Sequence, residues 1–351
     1  MIKPVNETEL NERIILNFKR LADSSYYQID EVFAPDSYDW PADKEGRALL
    51  SFVSHYKISG KVIPCMNEMI EKLPSKLNEK GYLGVIRKGI IAEQQLSGHS
   101  WLLRGLCEYY EQFQKKSVLD IIKKITENLF IPTKGFYSSY PIDRSQKDEG
   151  GVSGNEIGYC DNWLLSSDIG CAFMSVDGLS HVYKITKDEA VKELLDEMID
   201  VYLSIDKIGL RVQTHCTLTA ARGMMRMFSV TGEEKYQKGA EQIYDLYVNG
   251  GGMTYTYQNL NWWNRHDSWT EPCAVVDKKM PYVETAMFYM LNDYHGYSVS
   301  TSEDNFGLFT SFGDPEKPCC PKPAALELYK YIHKTEDVSP LYKYCPELMP
   351  K

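Results

Sequence analysis

The feature that most constrains the fold of this chain is a recurring pair of amphipathic helices. An apolar helix ends at an aromatic residue and a polar stop, and a second amphipathic helix follows, for example over Glu189 to Leu203 and Glu234 to Tyr247. The aromatic ends of the first helices lie around Tyr110, Tyr183, Phe228 and Tyr331. Units of roughly fifty residues that repeat in this way are typical of helical solenoids and closed toroids. The sequence therefore predicts an all-α array of helix hairpins.

The N-terminal part of the chain fits the same pattern. Residues 8–30 carry apolar side chains at helical spacing, and residues 45–56 are predicted to form a helix that stops at Gly60. Strand signals are sparse. Only residues 131–140 and 252–257 are predicted to form short β-strands.

Composition and charge exclude several classes of protein. The hydrophobic fraction of 43% and the charged fraction of 25% are those of an ordinary globular protein. A net charge of −10 disfavours nucleic acids and anionic membranes as partners, because their recognition needs clustered Lys and Arg. The sequence has neither an apolar run that could span a bilayer nor the apolar stretch of a signal peptide. We expect one cytoplasmic domain over residues 1–351, and a homo-oligomer is compatible with this composition.

Long polar and aromatic connections separate the helix pairs, over residues 134–163, 249–268 and 299–318. Loops of this length inside a compact domain usually serve function, and we expect these three to share one end of the array. Five of the six tryptophans lie in or beside loop segments: Trp40, Trp163, Trp262, Trp263 and Trp269. Because such rings can stack on a sugar, and because 25 tyrosines add rings with a polar tip, a carbohydrate is the expected ligand.

Two short segments offer the ligands of a zinc site. Glu271 and Cys273 are two residues apart, so in an extended segment their side chains point the same way. Cys319 and Cys320 are adjacent and lie between two prolines, which favour a fixed turn. One carboxylate and three thiolates are a tetrahedral zinc set, but cysteines that are simply small buried thiols would show the same spacing. The nine cysteines, an odd number, indicate reduced thiols rather than a disulfide framework.

Several segments, in order along most of the chain, resemble the barrel domain of glycoside hydrolase family 127. They are WPADKEGRALL near the start, SGHSWLLRGLCEYYE, THCTLTAARGMMRMFSVTGEEKY, the EPCA that contains Glu271 and Cys273, and CCPKPAALELYKYI. The resemblance implies an (α/α)6 toroid and a zinc-dependent enzyme of the β-L-arabinofuranosidase type.

The resemblance also implies roles for individual residues. The implied Zn²⁺ ligands are Glu271, Cys273, Cys319 and Cys320. Cys319 would in addition be the nucleophile that attacks the anomeric carbon, because the thiolate is the reactive form of cysteine and zinc maintains it. His99 and His215 match sugar-contacting histidines of the family, although a hydrogen-bonded histidine at a helix end would look the same.

The sequence departs from the family at three points. The position of the family's general acid/base glutamate is Tyr255 here, so the proton donor would be Tyr255, His266 or Asp267. Lys317 replaces a cysteine of the family and could bind a substrate carboxylate. The short stretch after Cys320 predicts that the family's C-terminal β domains are absent.

Three functions follow from these observations. The first is a retaining glycoside hydrolase acting on a small, arabinofuranoside-like glycoside or oligosaccharide, with Trp262, Trp263, Trp269 and Lys317 lining the sugar site. The second is a catalytically reduced barrel in which zinc is structural and the aromatic cleft binds a sugar. The third is a sugar isomerase or lyase that uses His99, His215 or His266 for proton transfer.

Overall fold

The computed structural model describes the first two thirds of the chain most fully. The described residues are 7–23, 29–35, 38–144, 154–253, 259–265, 268, 290–292, 307–310, 320–321, 330 and 337–339. Within them helices dominate, and the strands are short. None of the helices in these ranges combines the length and the apolar character needed to cross a membrane.

Eight helices form four hairpins. The first helices of the hairpins are α3 (Asp43–Ser59), α5 (Glu93–Phe113), α7 (Ser175–Thr186) and α9 (Thr214–Thr231). Their partners are α4 (Pro64–Lys76), α6 (Lys116–Ile125), α8 (Glu189–Ser204) and α10 (Glu234–Asn249). Two earlier helices, α1 (Glu7–Ala22) and α2 (Ile29–Val32), contact α3 and α4. Helices α3, α5, α7 and α9 pack on one another in order and form the inner layer, with their partners outside.

Glycines let neighbouring inner helices touch backbone to backbone. A Cβ atom at Gly46 of α3 would lie 2.2 Å from the Leu102 nitrogen of α5, and a Cβ at Gly98 of α5 would lie 2.2 Å from the Pro41 carbonyl oxygen. Helices α7 and α9 make the same kind of contact through Gly223. No other residue permits so close an approach. Since the contacts between α3 and α5 advance in the same direction along both chains, these helices run parallel.

The connections differ sharply between the two ends of the array. Each inner helix joins its outer partner through only two to four residues, which makes every hairpin antiparallel. The connections into α5, α7 and α9 are longer and span residues 77–92, 126–174 and 205–213. All of them therefore gather where the inner helices begin, and this end is called the mouth below. The described part of the connection over residues 134–163, one of the three long loops expected at a common end, lies at the mouth.

Two small sheets add to the helices. At the mouth, β1 (Ile91–Ala92) pairs in parallel with β3 (Trp163–Ser166), and β2 (Glu156–Cys160) forms an antiparallel hairpin with β3. The strand β1 leads directly into α5, so this sheet anchors the connection that precedes α7. In the second sheet, β5 (Gly307–Thr310) pairs with β4 (Met290–Asn292) and with β6 (Cys320–Pro321).

The core has two parts. The larger cluster fills the space between the inner and outer layers, with rings such as Phe52, Phe173 and Tyr202 fully buried. A smaller cluster lies among the inner helices near the mouth and consists of Trp101, Cys171, Met174 and Cys216, with Trp40 and Leu50 packed against it.

The prediction of an all-α toroid built from helix hairpins is confirmed, with four of the hairpins inside the described ranges. The predicted second helices begin at Glu189 and Glu234 as expected, and α3 stops at Gly60, which adopts a left-handed conformation with φ 67°. The helix predicted for residues 8–30 is shorter and ends at Ala22.

The prediction of a strand over residues 131–140 is wrong. This stretch forms two short 3-10 turns, Ile131–Thr133 and Tyr137–Ser139. The N–H groups of Gly135 and Tyr137 donate to the Glu197 carboxylate of α8, at 2.8 to 3.1 Å, instead of to a neighbouring strand. The Glu197 side chain of α8 thus takes the main-chain hydrogen bonds that a neighbouring strand would otherwise accept. Of the strand predicted over residues 252–257, a single bridge from Met253 to Asn259 lies in the described part.

Candidate functional site

The mouth brings His215 and Trp101 together. His215 is the second residue of α9 and is buried, and its ring lies 5.8 Å from the Trp101 ring, tilted by 31°. The guanidinium carbon of Arg47 lies 4.2 Å from the Trp101 ring centroid, and that of Arg222 lies 5.2 Å from it. Trp101 is therefore a buried ring of α5 that lies among cationic side chains near the mouth.

A segment far along the chain is fixed to the start of α9. The Thr214 N–H donates to the Asn261 carbonyl oxygen at 2.8 Å, and the Trp263 N–H donates to the Val212 carbonyl oxygen at 3.1 Å. Gln213 forms an isolated antiparallel bridge with Trp262. The chain that continues toward Glu271 and Cys273 therefore leaves from a point beside His215.

The same segment contains an unusual concentration of buried polar atoms that lack a partner among the described residues. These atoms are Oδ1 and Nδ2 of Asn259, Nδ2 of Asn261 and Nε1 of Trp263. Nε1 of Trp101 is also buried and lacks a hydrogen-bond partner among the described residues. Each such atom costs about 1 to 3 kcal/mol when it finds no partner, so native proteins normally pair them with protein, water or ligand. Sequence reasoning missed both asparagines, because nothing in their spacing separates them from turn residues.

His99 is held by the protein through both ring nitrogens. Its Nε2 accepts the Leu83 N–H at 3.0 Å, and its Nδ1 donates to the Gln95 carbonyl oxygen at 2.8 Å. Burial lowers the pKa of His99 to about 4, so the ring is neutral at pH 7. Both ring nitrogens of His99 therefore hold the main chain in place, and neither is available to bind a sugar.

Trp262 and Trp263 are both fully buried. The guanidinium carbon of Arg265 lies 3.9 Å from the Trp262 ring, and the Trp263 ring lies 4.7 Å from the Tyr247 ring of α10. Their rings therefore pack inside the protein, and neither presents the open face expected of a sugar platform.

The remaining predicted site residues lie outside the described residues. They are Tyr255, His266, Asp267, Trp269, Glu271, Cys273, Lys317 and Cys319. For Cys320 the structure describes the backbone, where it opposes Thr310 in the pairing of β6 with β5. The fit of zinc to this set therefore rests on donor chemistry, since one carboxylate and three thiolates suit a tetrahedral Zn²⁺.

Below Trp101 a buried charged layer crosses the barrel axis. Asp177 of α7 is 1% exposed and contacts three guanidiniums: Arg222 at 2.5 Å, Arg226 at 2.6 Å and Arg104 at 3.1 Å. Burial alone would raise the pKa of Asp177, but the arginines outweigh it and hold the pKa well below its usual range. This carboxylate ties three inner helices together. Arg222 and Arg226 are four residues apart and so share one face of α9, a signal that sequence reasoning missed.

One further cluster has the residue types and spacing of a metal site. The ligand atoms of Glu108, Glu111 and His181 lie within 4.8 Å of one another. Arg104, however, donates to Nδ1 of His181 at 2.6 Å, which places the proton of the neutral ring on Nε2. That nitrogen faces Glu111 at 3.3 Å and cannot bind a metal while protonated. Glu111 also pairs with Lys184, so the cluster is a set of ion pairs.

A cavity of about 1180 Å³ opens at the mouth, between the connections that precede α7 and α9 and the C-terminal end of α8. Its wall includes Arg144, which binds the buried Glu93 carboxylate through both guanidinium nitrogens at 2.7 and 3.0 Å. The Tyr140 hydroxyl donates to the same carboxylate at 2.5 Å and accepts the Gly170 N–H at 3.0 Å. Arg265 also lines this cavity, so the segment fixed to α9 reaches its edge. The volume is sufficient for a small oligosaccharide.

No protein-family model and no curated protein matches the sequence. Among solved structures, a sugar epimerase from a ruminal bacterium shares 13% identity with a TM-score of 0.48, covering 78% of this chain and 85% of that one. An unsaturated glucuronyl hydrolase from Streptococcus agalactiae shares 14% identity with a TM-score of 0.48, covering 80% and 76%. A family 76 glycoside hydrolase (mannosidase) from Bacteroides thetaiotaomicron shares 12% identity with a TM-score of 0.42, covering 68% and 71%. Similarities of this size assign neither an activity nor a substrate to this chain.

Proposed function

We propose that this protein is a carbohydrate-active enzyme, a zinc-dependent retaining glycoside hydrolase whose active site lies at the mouth. The observation that carries the proposal is the main-chain pairing between Thr214 and Asn261 at 2.8 Å. It joins the helix end that carries His215 to the segment that continues toward Glu271 and Cys273. Two stretches that the resemblance to glycoside hydrolase family 127 assigns to one site thus start from one place.

In the proposed mechanism, the Cys319 sulfur attacks the anomeric carbon while the leaving oxygen takes a proton from a protein group. Water then gives a proton back to that group and attacks the same carbon, and the thiolate leaves, so the configuration is retained. Glu271, Cys273 and Cys320 would complete the zinc site, and bound zinc would keep the cysteine in its thiolate form near neutral pH.

The proton donor would come from the segment that follows Trp262. His266 and Asp267 directly follow Arg265, whose guanidinium lies 3.9 Å from the Trp262 ring at the mouth. Tyr255 occupies the position of the family's acid/base glutamate and belongs to the same stretch of chain. A carboxylic acid is the better match to glycosidic oxygen, so we favour Asp267.

Tyr255 also favours a second candidate function, a sugar-binding barrel with structural zinc and no turnover. A phenol releases its proton near pH 10, which makes it a weak acid for this reaction. The third candidate, an isomerase or lyase, would depend on His215 and His266, because both ring nitrogens of His99 are already bonded within the protein.

A panel of p-nitrophenyl α- and β-glycosides, as furanosides and pyranosides, tests the proposal with the full chain loaded with zinc. We expect turnover of at least one member, and Cys319→Ala should reduce its kcat more than about thousandfold, because a covalent step is lost. The matched control is Cys160→Ala, since Cys160 is a partly exposed thiol on β2.

Turnover that survives Cys319→Ala would contradict the proposed nucleophile. A protein that binds zinc and sugar but cleaves no member of the panel would support the binding barrel. Turnover without net hydrolysis, persisting after zinc removal, would support the isomerase or lyase.

A further inference from the structure

Two buried N–H groups lie at the first turn of α9 without an acceptor among the described residues. One is the indole Nε1–H of Trp101, a side chain that is 7% exposed, and the other is the amide Nδ2–H of Asn261, which is 1% exposed. Both groups can donate, and neither nitrogen can accept. A ligand that pairs with both N–H groups must therefore carry acceptor atoms, such as oxygens.

Both donors are fixed to the same helix end. Trp101 packs against Cys216, and its ring lies 5.8 Å from the ring of His215. The Asn261 carbonyl oxygen accepts the Thr214 N–H at 2.8 Å, and its side-chain oxygen accepts from Gln213 at 3.4 Å. The N-terminus of a long helix carries a partial positive charge, which favours an anionic acceptor.

The charges around Trp101 point in the same direction. The guanidiniums of Arg47 and Arg222 lie 4.2 and 5.2 Å from its ring, and they are paired with Asp43 and Asp177 respectively. In the layer below, the guanidiniums of Arg104, Arg222 and Arg226 all contact the Asp177 carboxylate, and Glu108 contacts both Arg104 and Lys57. Arginines are thus concentrated beneath the mouth of a chain whose net charge is −10. Clustered cations of this kind attract anionic ligands.

We propose that the mouth takes a sugar bearing a carboxylate, and that Trp101 and Asn261 donate to that carboxylate over the N-terminus of α9. This inference rests on the proposed carbohydrate function and names its substrate class. A hydroxyl group would satisfy the two donors but would gain nothing from the arginines or the helix end. A uronate carboxylate would interact favourably with the two N–H donors, with the arginines and with the N-terminus of α9.

Isothermal titration of the zinc-loaded full chain with D-glucuronate and D-galacturonate, against D-glucose and D-galactose, tests this inference. We expect at least one uronate to bind more than about tenfold more tightly than its neutral parent, because hydrogen bonds to a charged group are the stronger kind. The difference should shrink between 20 mM and 500 mM NaCl, since salt screens the charge contribution.

Trp101→Phe removes the N–H while it keeps an aromatic ring, and it should weaken uronate binding about tenfold but change neutral-sugar binding less than about threefold. Trp163→Phe is the matched control. Its Nε1 is also buried without a partner, but its ring packs between Tyr137 and Tyr140 in the main core. It should leave uronate binding unchanged. Asn261→Ala, checked for folding by circular dichroism, should act like Trp101→Phe.

Equal affinity for uronates and neutral sugars, or uronate binding that both variants leave intact, would overturn the inference. Failure of the proposed hydrolase is a separate result, because it is read from glycoside turnover and Cys319→Ala rather than from binding. A uronate-binding protein without turnover would keep this inference and remove the hydrolase.

Discussion

A Cβ atom at Gly178 of α7 would lie 2.7 Å from the Ser100 carbonyl oxygen of α5, and the Gly178 N–H donates to the Ser100 hydroxyl at 3.0 Å. The two backbones are thus in contact, and Ser100 satisfies one of the N–H groups that the first turn of α7 leaves open. The spacing of the inner helices therefore depends on residues that have almost no side chain.

Gly178→Ala should destabilise the protein by about 2 to 4 kcal/mol, because the added methyl group meets backbone that cannot move alone. The matched control is Gly239→Ala on α10, where the nearest atom is the flexible end of Leu203 at 2.9 Å. That change should cost less than about 1 kcal/mol, since alanine also favours a helix. Urea unfolding measures both, and equal losses would contradict the close backbone contact.

Asp177→Asn should cost about 3 to 5 kcal/mol, because it leaves three guanidiniums around a neutral amide. Asp196→Asn is the control, since Asp196 pairs with lysines at the surface and is 26% exposed. The pKa of Asp177 is depressed in the folded protein, so its stabilising effect is complete above about pH 4 and fades as pH falls further. The variant should therefore lose less stability than the wild type between pH 4 and pH 2. A parallel decline in the two proteins would contradict this role.

His99→Gln should flatten the loss of stability between pH 6.5 and pH 4. The folded protein keeps His99 neutral, with a pKa of about 4, whereas the unfolded chain binds a proton near pH 6.5. The histidine contributes fully above about pH 6.5, and up to roughly 3 kcal/mol of stability is lost as pH falls toward 4. Thermal melting across this range measures the slope. An unchanged slope in the variant would show that another group is responsible.

Tyr140→Phe should cost about 1.5 to 3 kcal/mol, because its hydroxyl both donates to the buried Glu93 carboxylate and accepts the Gly170 N–H. Tyr137→Phe is the matched control. Tyr137 is equally buried, but its hydroxyl has only a 3.4 Å contact with Thr133, so the loss should stay below about 1 kcal/mol. Thermal unfolding distinguishes the two, and similar melting points would contradict the role assigned to Tyr140.

Cys273→Ser should remove the zinc that the purified wild-type protein is expected to carry at about one ion per chain. Cys160→Ser should keep it, because Cys160 lies on β2, outside the expected ligand set. Plasma mass spectrometry of the dialysed proteins gives the metal content. Zinc retained by Cys273→Ser at the wild-type level would rule out the expected site.

The helix hairpins could be predicted from the sequence because their signals are local. Apolar spacing marks each helix, and the left-handed Gly60 marks the end of α3, without reference to the rest of the chain. The charged layer around Asp177 could not be predicted, since it depends on how α5, α7 and α9 are rotated about their axes. The strand predicted over residues 131–140 was wrong for a similar reason, because the Glu197 carboxylate on α8 takes the N–H groups that a strand would have paired.

The candidate site was predictable only as a set of residue types. The histidines of the SGH and THC segments have the same appearance in the sequence, yet His99 is bonded within the protein through both nitrogens while His215 lies beside Trp101. The side-chain nitrogens of Asn259 and Asn261, which lack an acceptor among the described residues, have no sequence signature, because burial alone distinguishes them from turn residues.

The glycine contacts and the connections between hairpins determine different properties of the barrel. Residues such as Gly46, Gly98 and Gly223 fix the bore of the barrel, whereas the connections over residues 77–92, 126–174 and 205–213 shape its rim. Loops exchanged between relatives of this scaffold could therefore change which molecule is admitted while the diameter of the opening stays the same.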